Sequence, residues 1–217
     1  MMLPPVGFDG QARIVAATVA VVGDDLTCEV AARSLSAAGV GCVRFVRRDG
    51  APSDVVLRAI AGSNPDARVE TRVWPEGGAA WVAALDGATA IVRSGFDDDA
   101  MLRAAVRLGV PVVVARALPE VIDIMSFRKH GPCPHVSLDV PEVTASTARQ
   151  DSANAVVAAQ LAAAEILMGI VADAADGPRA RHTRLPLDGA APTTAALPWT
   201  PECFACGGSA TEASLTP

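Results

Sequence analysis

The residues best suited to metal chemistry are Cys203 and Cys206, set as Cys203-Phe-Ala-Cys206-Gly near the C-terminus. Five cysteines are an odd number for a disulfide framework, so a reduced, cytoplasmic chain that uses this pair for metal is the favoured reading. A second group is Gly23-Asp-Asp-Leu-Thr-Cys28, at the end of an early apolar run. Glycines between a strand and a helix let the backbone approach a phosphate, with the helix N–H groups pointing at it. Here Asp24 and Asp25 put two carboxylates where that anion would sit. They compete for the helix N-terminus and repel a triphosphate, and one of them also reads as a simple N-cap. Cys28, in the first helical turn, is either a thiol with a depressed pKa or a small buried apolar residue. The 18 basic residues include a single lysine, Lys129, so any other cationic role falls to arginine.

The elements that would hold these groups are legible from periodicity. Ala16–Gly23 is a β-branched run that reads as a buried first strand. A helix follows with Leu26, Val30, Ala31, Leu35 and Ala38 at helical spacing, closed by Gly39 at the C′ position. Gly41–Arg47, Arg68–Val73, Ala88–Arg93 and Pro111–Ala115 read as further strands. Asp54–Ala61, Trp81–Leu85 and Asp99–Leu108 read as the intervening helices. Alternation of this kind predicts an α/β fold, a Rossmann-like, mostly parallel sheet flanked by helices. Residues 1–118 form that half of a single domain. Residues 119–217 form a C-terminal half: a β-prone run at Pro119–Phe127, a Pro/Cys/His loop, a long helix at Ser152–Ile170, a late strand at Arg181–Leu187 and a Pro/Thr-rich tail. The long helix is apolar almost all round, so it must be buried inside the domain or at a subunit interface, which predicts a homodimer. His182 is expected to be an exposed residue of the late strand.

Composition narrows the function classes. Half of the 217 residues are hydrophobic (51%) and 19% are charged, so the chain should fold. A net charge of −6, no basic block, 4% aromatic content and no tyrosine argue against nucleic acid as a partner. Apolar stretches such as Val110–Leu118 are too short to cross a bilayer, and Met1–Gly10 lacks the pattern of a secretory signal. No membrane partner is expected.

Several stretches, in order, resemble the ThiF/MoeB family of the ubiquitin-activating-enzyme superfamily. Phe8-Asp-Gly-Gln-Ala-Arg13 with Val19-Ala-Val-Val-Gly23 is similar to the family's entry into strand one. Glu29-Val-Ala31, Ala38-Gly-Val-Gly41, Asn64-Pro-Asp-Ala-Arg-Val69, Leu108-Gly-Val-Pro-Val112, Ala162–Gly169 and Pro201-Glu-Cys-Phe-Ala-Cys-Gly207 follow in the family's sequence. The resemblance implies a fold that binds ATP and adenylates a carboxylate, usually that of a small carrier protein or a peptide.

It also implies site residues, and here the chain departs from the pattern. Gly23 is the remaining glycine of the nucleotide loop, which is one residue shorter than the family's. Arg47-Arg48-Asp49 stands for the ribose motif, with Arg47 in place of its first aspartate and Asp49 retained. Val55-Val-Leu-Arg58 keeps the catalytic arginine, Arg58, without its asparagine. The family's lysine has no counterpart. Asp97-Asp98-Asp99 stands for the metal-binding aspartate, or caps the helix that begins there. Cys133-Pro-His135 stands for the first half of the family's zinc site, so Cys133, His135, Cys203 and Cys206 make a tetrahedral structural zinc set, with His130 as another fourth ligand. The expectation is a degenerate family member that binds a peptide, carrier protein or partner enzyme in a biosynthetic pathway without efficient use of ATP and Mg²⁺. The alternative is an active adenylyltransferase using Arg58, Asp49 and Asp97.

Overall fold

The computed structural model describes residues 6–48, 50–94, 99–127, 152–172 and 180–197. Eight strands form one sheet in the order β3-β2-β1-β4-β5-β6-β7-β8. Strands β1 (Thr18–Val22), β2 (Cys42–Arg47), β3 (Arg68–Val73), β4 (Ala90–Ser94) and β5 (Val112–Ala117) run parallel. Strands β6 (Val121–Phe127), β7 (Arg181–Pro186) and β8 (Thr193–Ala196) continue the sheet antiparallel. The chain order reverses beside β1, so its first crossover turns away from the second, the place where a doubly wound sheet can open a crevice beyond its carboxyl strand ends.

Helices cover both faces, as a parallel sheet requires. On one side lie α1 (Gly7–Ala16), α2 (Leu26–Ala37), α3 (Asp54–Ser63) and α6 (Ser152–Val171), packed on Val19, Val21, Val43, Phe45 and Ile124. On the other lie α4 (Gly78–Leu85) and α5 (Asp99–Leu108), whose Trp81, Leu85, Met101 and Leu102 meet Val22, Val46, Ile91 and Val114. The end of α2 closes as its sequence requires. Gly39 adopts φ +98°, the Gly39 N–H donates to Ser36 and the Val40 N–H donates to Leu35, the paired bonds of a Schellman cap.

Three features depart from the sequence reading. The segment containing Phe8–Arg13 is a full helix, α1, hidden by its two glycines; a Cβ on Gly10 would come within 3.1 Å of Val171, so the glycine lets α1 approach α6. The Pro/Thr-rich tail contributes β8, whose four residues are all exposed. And α6, with 20 residues and mean hydropathy 1.7, is long and apolar enough by length and composition to cross a bilayer. Its alanine face (Ala155, Ala158, Ala159, Ala162, Ala163) is buried in the same core as α2, β5 and β6. A salt bridge from Arg181 to Glu165 ties it to β7.

Candidate functional site at the β1–β2–β4 crevice

Strand β1 ends in Val22, and Gly23 turns the chain toward α2 with φ +137°, its N–H donating to the Val46 carbonyl at 3.1 Å. A side chain is excluded here twice over. The φ is unfavourable for L residues, and a Cβ would stand 2.7 Å from the Cys28 sulfur. Asp25 is the N-cap of α2. Its Oδ1 accepts the Cys28 N–H at 3.0 Å and its Oδ2 accepts the Ser94 hydroxyl at 2.5 Å, joining the ends of β1 and β4. Cys28 is fully buried and donates its S–H to the Val22 carbonyl at 3.3 Å. Burial, then the neighbouring Asp25 charge, pushes its thiol well above the usual range, so it is a core residue and not a depressed-pKa nucleophile.

At the end of β2 stands Arg47, which is 7% exposed. Its Nε donates to Asp24 Oδ1 at 3.2 Å, one terminal nitrogen to Glu29 Oε1 at 3.1 Å and the other to the Asp24 carbonyl at 3.2 Å. The Asp24 carboxylate also accepts the Arg48 N–H at 3.1 Å, and the Arg48 guanidinium lies 4.3 Å from the ring centre of Trp74. Trp74 meets Trp81 edge-on, with centroids 5.1 Å apart. Strand ends, loop and helix N-terminus are thus joined by the chain's own charges. Three carboxylates (Asp24, Asp25, Glu29) and the guanidiniums of Arg47 and Arg48 gather beyond the ends of β1 and β2.

The structure brings Gly23 into this cluster and leaves Arg58 out of it. Arg58 is exposed on α3 and has no hydrogen-bond or ionic partner among the described residues. Asp49, Asp97, Cys133, His135, Cys203 and Cys206 lie outside the described residues. Cys28 and Cys42, the two described cysteines, are buried free thiols, so the three remaining cysteines all belong to the expected zinc set. Among the described residues, no group of three or more potential ligands could hold a metal.

Glu29, Ser94 and the pairing role of Arg47 were missed from sequence. A signal was present: Cys42–Arg47 is buried along all six residues, yet its text contains two arginines. An arginine in a central strand demands carboxylate partners. The other, Arg44, donates to Glu70 at 2.7 Å and to the carbonyls of Ala84 and Asp86, closing the end of α4. That bond first, and the charge of Arg44 with it, holds the Glu70 carboxyl below its ordinary range against the opposing effect of burial. On the far side of the sheet, His182 is not the exposed residue expected. Its side chain is 17% exposed and its Nε2 lies 3.0 Å from Asp123, a fully buried carboxylate that also accepts the Arg184 Nε at 3.1 Å.

Neither a scan of family models nor a search of curated proteins finds a match to the sequence. Solved structures do match the fold. MccB from E. coli aligns with a TM-score of 0.71 at 14% identity, over 91% of this chain and 67% of MccB. PaaA aligns with a TM-score of 0.72 at 16% identity, over 88% of this chain and 67% of PaaA. MccB, described as a Microcin C7 biosynthetic enzyme, also matches in its complex with N-formylated MccA, with a TM-score of 0.70 at 14% identity, over 91% of this chain and 70% of that one. The chain therefore spans about two thirds of the length of these structures, and at such identities what it shares with them is the fold.

Proposed function

We propose that this chain is a degenerate ThiF/MoeB-like protein that binds a peptide, carrier protein or partner enzyme in a peptide-modification or sulfur-transfer pathway, without efficient use of ATP. The observation that carries the reading is the closed cluster in which Arg47 pairs with Asp24 and Glu29 while Asp25 caps α2 and holds Ser94. A triphosphate entering the crevice would meet carboxylates in excess over guanidiniums, with Asp25 already capping α2. To reach the helix N–H groups it would have to break the Asp25 cap and the Arg47 fork together. The residues present therefore do not fit ATP, and the absent lysine removes a compact cation for its phosphates. Partner binding is supported by the likeness to MccB, which has been solved with MccA; the N-formyl and selenomethionine labels mark MccA as a polypeptide.

Calorimetry with Mg-ATP tests the reading. The expected result is no binding tighter than about millimolar. A micromolar dissociation constant, or pyrophosphate exchange with any carrier or peptide, would establish the second reading, an active adenylyltransferase. That reading is favoured by one finding: the same fold is seen in MccB with ATP.

A further inference from the structure

The sheet ends on one side at β8, and its register shows which backbone groups point outward. The Leu197 N–H donates to the Ala180 carbonyl at 3.0 Å, next to the Arg181–Ala196 pair. Hydrogen-bonded and non-hydrogen-bonded pairs alternate along an antiparallel ladder, so Thr193 and Ala195 also bond inward to β7, while Thr194 and Ala196 do not. The 3.1 Å approach of the Thr183 and Thr194 hydroxyls fits a non-hydrogen-bonded pair, whose side chains stand closer together. The N–H and C=O groups of Thr194 and Ala196 therefore face away from the sheet, and all four residues of β8 are exposed. Among the described residues, these groups have no hydrogen-bond partner.

Sheet edges are commonly guarded by charge. The opposite edge, β3, follows this with Arg68, Glu70 and Arg72. No charged residue occurs from Gly189 to Leu197, so β8 is an unguarded template for another strand. Pro192 and Pro198 flank it and supply no N–H, which limits the pairing to a short segment.

Two features select the occupant. A strand of four residues spans roughly 14 Å, so two copies of the chain joined through it alone fall well short of the ~1,000 Å² that a stable interface needs. A peptide can add to the pairing by placing a side chain beside it. Val121 pairs with Pro186 and Arg184 with Thr193, so these four share one face, and with Leu187 they line an open groove of about 680 Å³ that reaches the edge at Thr193. The Arg184 Nε is already on Asp123, and Glu120 and Asp188 also line the groove, so charge selects nothing acidic here. Val121, Pro186 and Leu187 favour an apolar side chain.

We propose that the outer edge of β8 takes up an extended segment of a partner polypeptide as a ninth strand. The segment bonds to the N–H and C=O groups of Thr194 and Ala196 and lays one apolar side chain in the groove beside Thr193. The inference rests on the partner-binding reading and deepens it, by naming the surface and the form of polypeptide that the surface takes.

The dye-labelled peptide Thr-Val-Thr-Leu-Thr-Val-Thr tests it against the full chain, by fluorescence anisotropy and by amide hydrogen exchange followed by NMR. Binding at about 100 μM or tighter is expected, with exchange at the Thr194 and Ala196 amides slowed by about tenfold or more. The same peptide N-methylated at its central residues keeps every side chain but loses its donors, and should not bind. Thr194→Pro and Ala196→Pro each remove an outward N–H without breaking a bond to β7, and each should weaken the peptide by about tenfold. No binding, equal binding of the N-methylated peptide, or undiminished binding by both variants would overturn the proposal. So would slow exchange of both amides before peptide is added, since another segment of this chain or a second copy would then hold the edge. Mg-ATP calorimetry on the same sample keeps the two readings apart. Tight ATP binding beside slowed Thr194 and Ala196 amides would overturn the scaffold reading alone, and peptide capture that leaves those amides fast would overturn the edge alone.

Discussion

Arg47 sits at the end of β2 with both of its outer faces against carboxylates, Asp24 on one side and Glu29 on the other. Deleting its guanidinium would leave two carboxylates, each about a quarter exposed, facing one another without a counter-charge. Arg47→Ala is expected to lower stability by about 2 kcal/mol, less than the loss for a wholly buried pair because Asp24 and Glu29 keep some contact with water. Arg58→Ala, on an exposed and unpartnered residue, should stay within about 0.5 kcal/mol of wild type. Urea denaturation of the two variants checks this, and equal losses would mean that the Arg47 network does not hold the crevice shut. At this scale the sequence was partly legible. The carboxylates in the loop and the arginine at the end of the second strand could be read directly. Their mutual pairing could not, because Asp24 lies in the loop after β1 and Arg47 at the end of β2, and the two meet only when those strands align.

Elements with a strong period were the most legible. The bounds of β3 and α5 emerge as read, and α2 ends at the glycine that its sequence marks. The elements missed have physical reasons to be silent. Helix α1 carries two glycines that lower its propensity, of which Gly10 allows close packing on α6, and β8 is a short exposed edge with no apolar alternation to announce it. Helix α6 reads from its sequence as apolar almost all round, and the structure divides it. Its alanine face is in the core, while Val156, Val157 and Met168 remain 39%, 41% and 57% exposed. Three large apolar side chains along one helix face favour a second apolar surface, and we expect a homodimer there. Light scattering at micromolar concentration should give twice the 22.1 kDa chain mass, and Val157→Glu with Met168→Glu should return it to one chain. A wild-type monomer would dispose of the dimer.

For the whole molecule, the order of motifs foretold the parallel Rossmann-like half, because hydrophobic pattern and turn chemistry are local; the antiparallel pairing of β6, β7 and β8 depends on long-range contacts and was not read. The proposed zinc set is a different kind of inference, carried by spacing and resemblance. Cys133, His135, Cys203 and Cys206 would join segments 70 residues apart and pin the tail to the domain. One zinc per chain is expected in purified protein by elemental analysis, with loss of metal from Cys203→Ser and Cys206→Ser while the sheet persists by circular dichroism. His135→Ala should weaken zinc less, since water or His130 can take a fourth position. Zinc-free wild type, or full zinc in Cys203→Ser, would leave the C-terminal pair without a metal role.

The sulfur of Cys28 against Gly23 bears on how this loop can change. An aspartate at position 47 would place a third acid beside Asp24 and Glu29, while a glycine at position 25 would remove the α2 cap and the tether to Ser94. Either change alone costs stability, and Cys28 still fills the turn. Residues that depend on one another in this way behave as a lock: none of them can be exchanged in one neutral step, and drift is left to the surfaces instead.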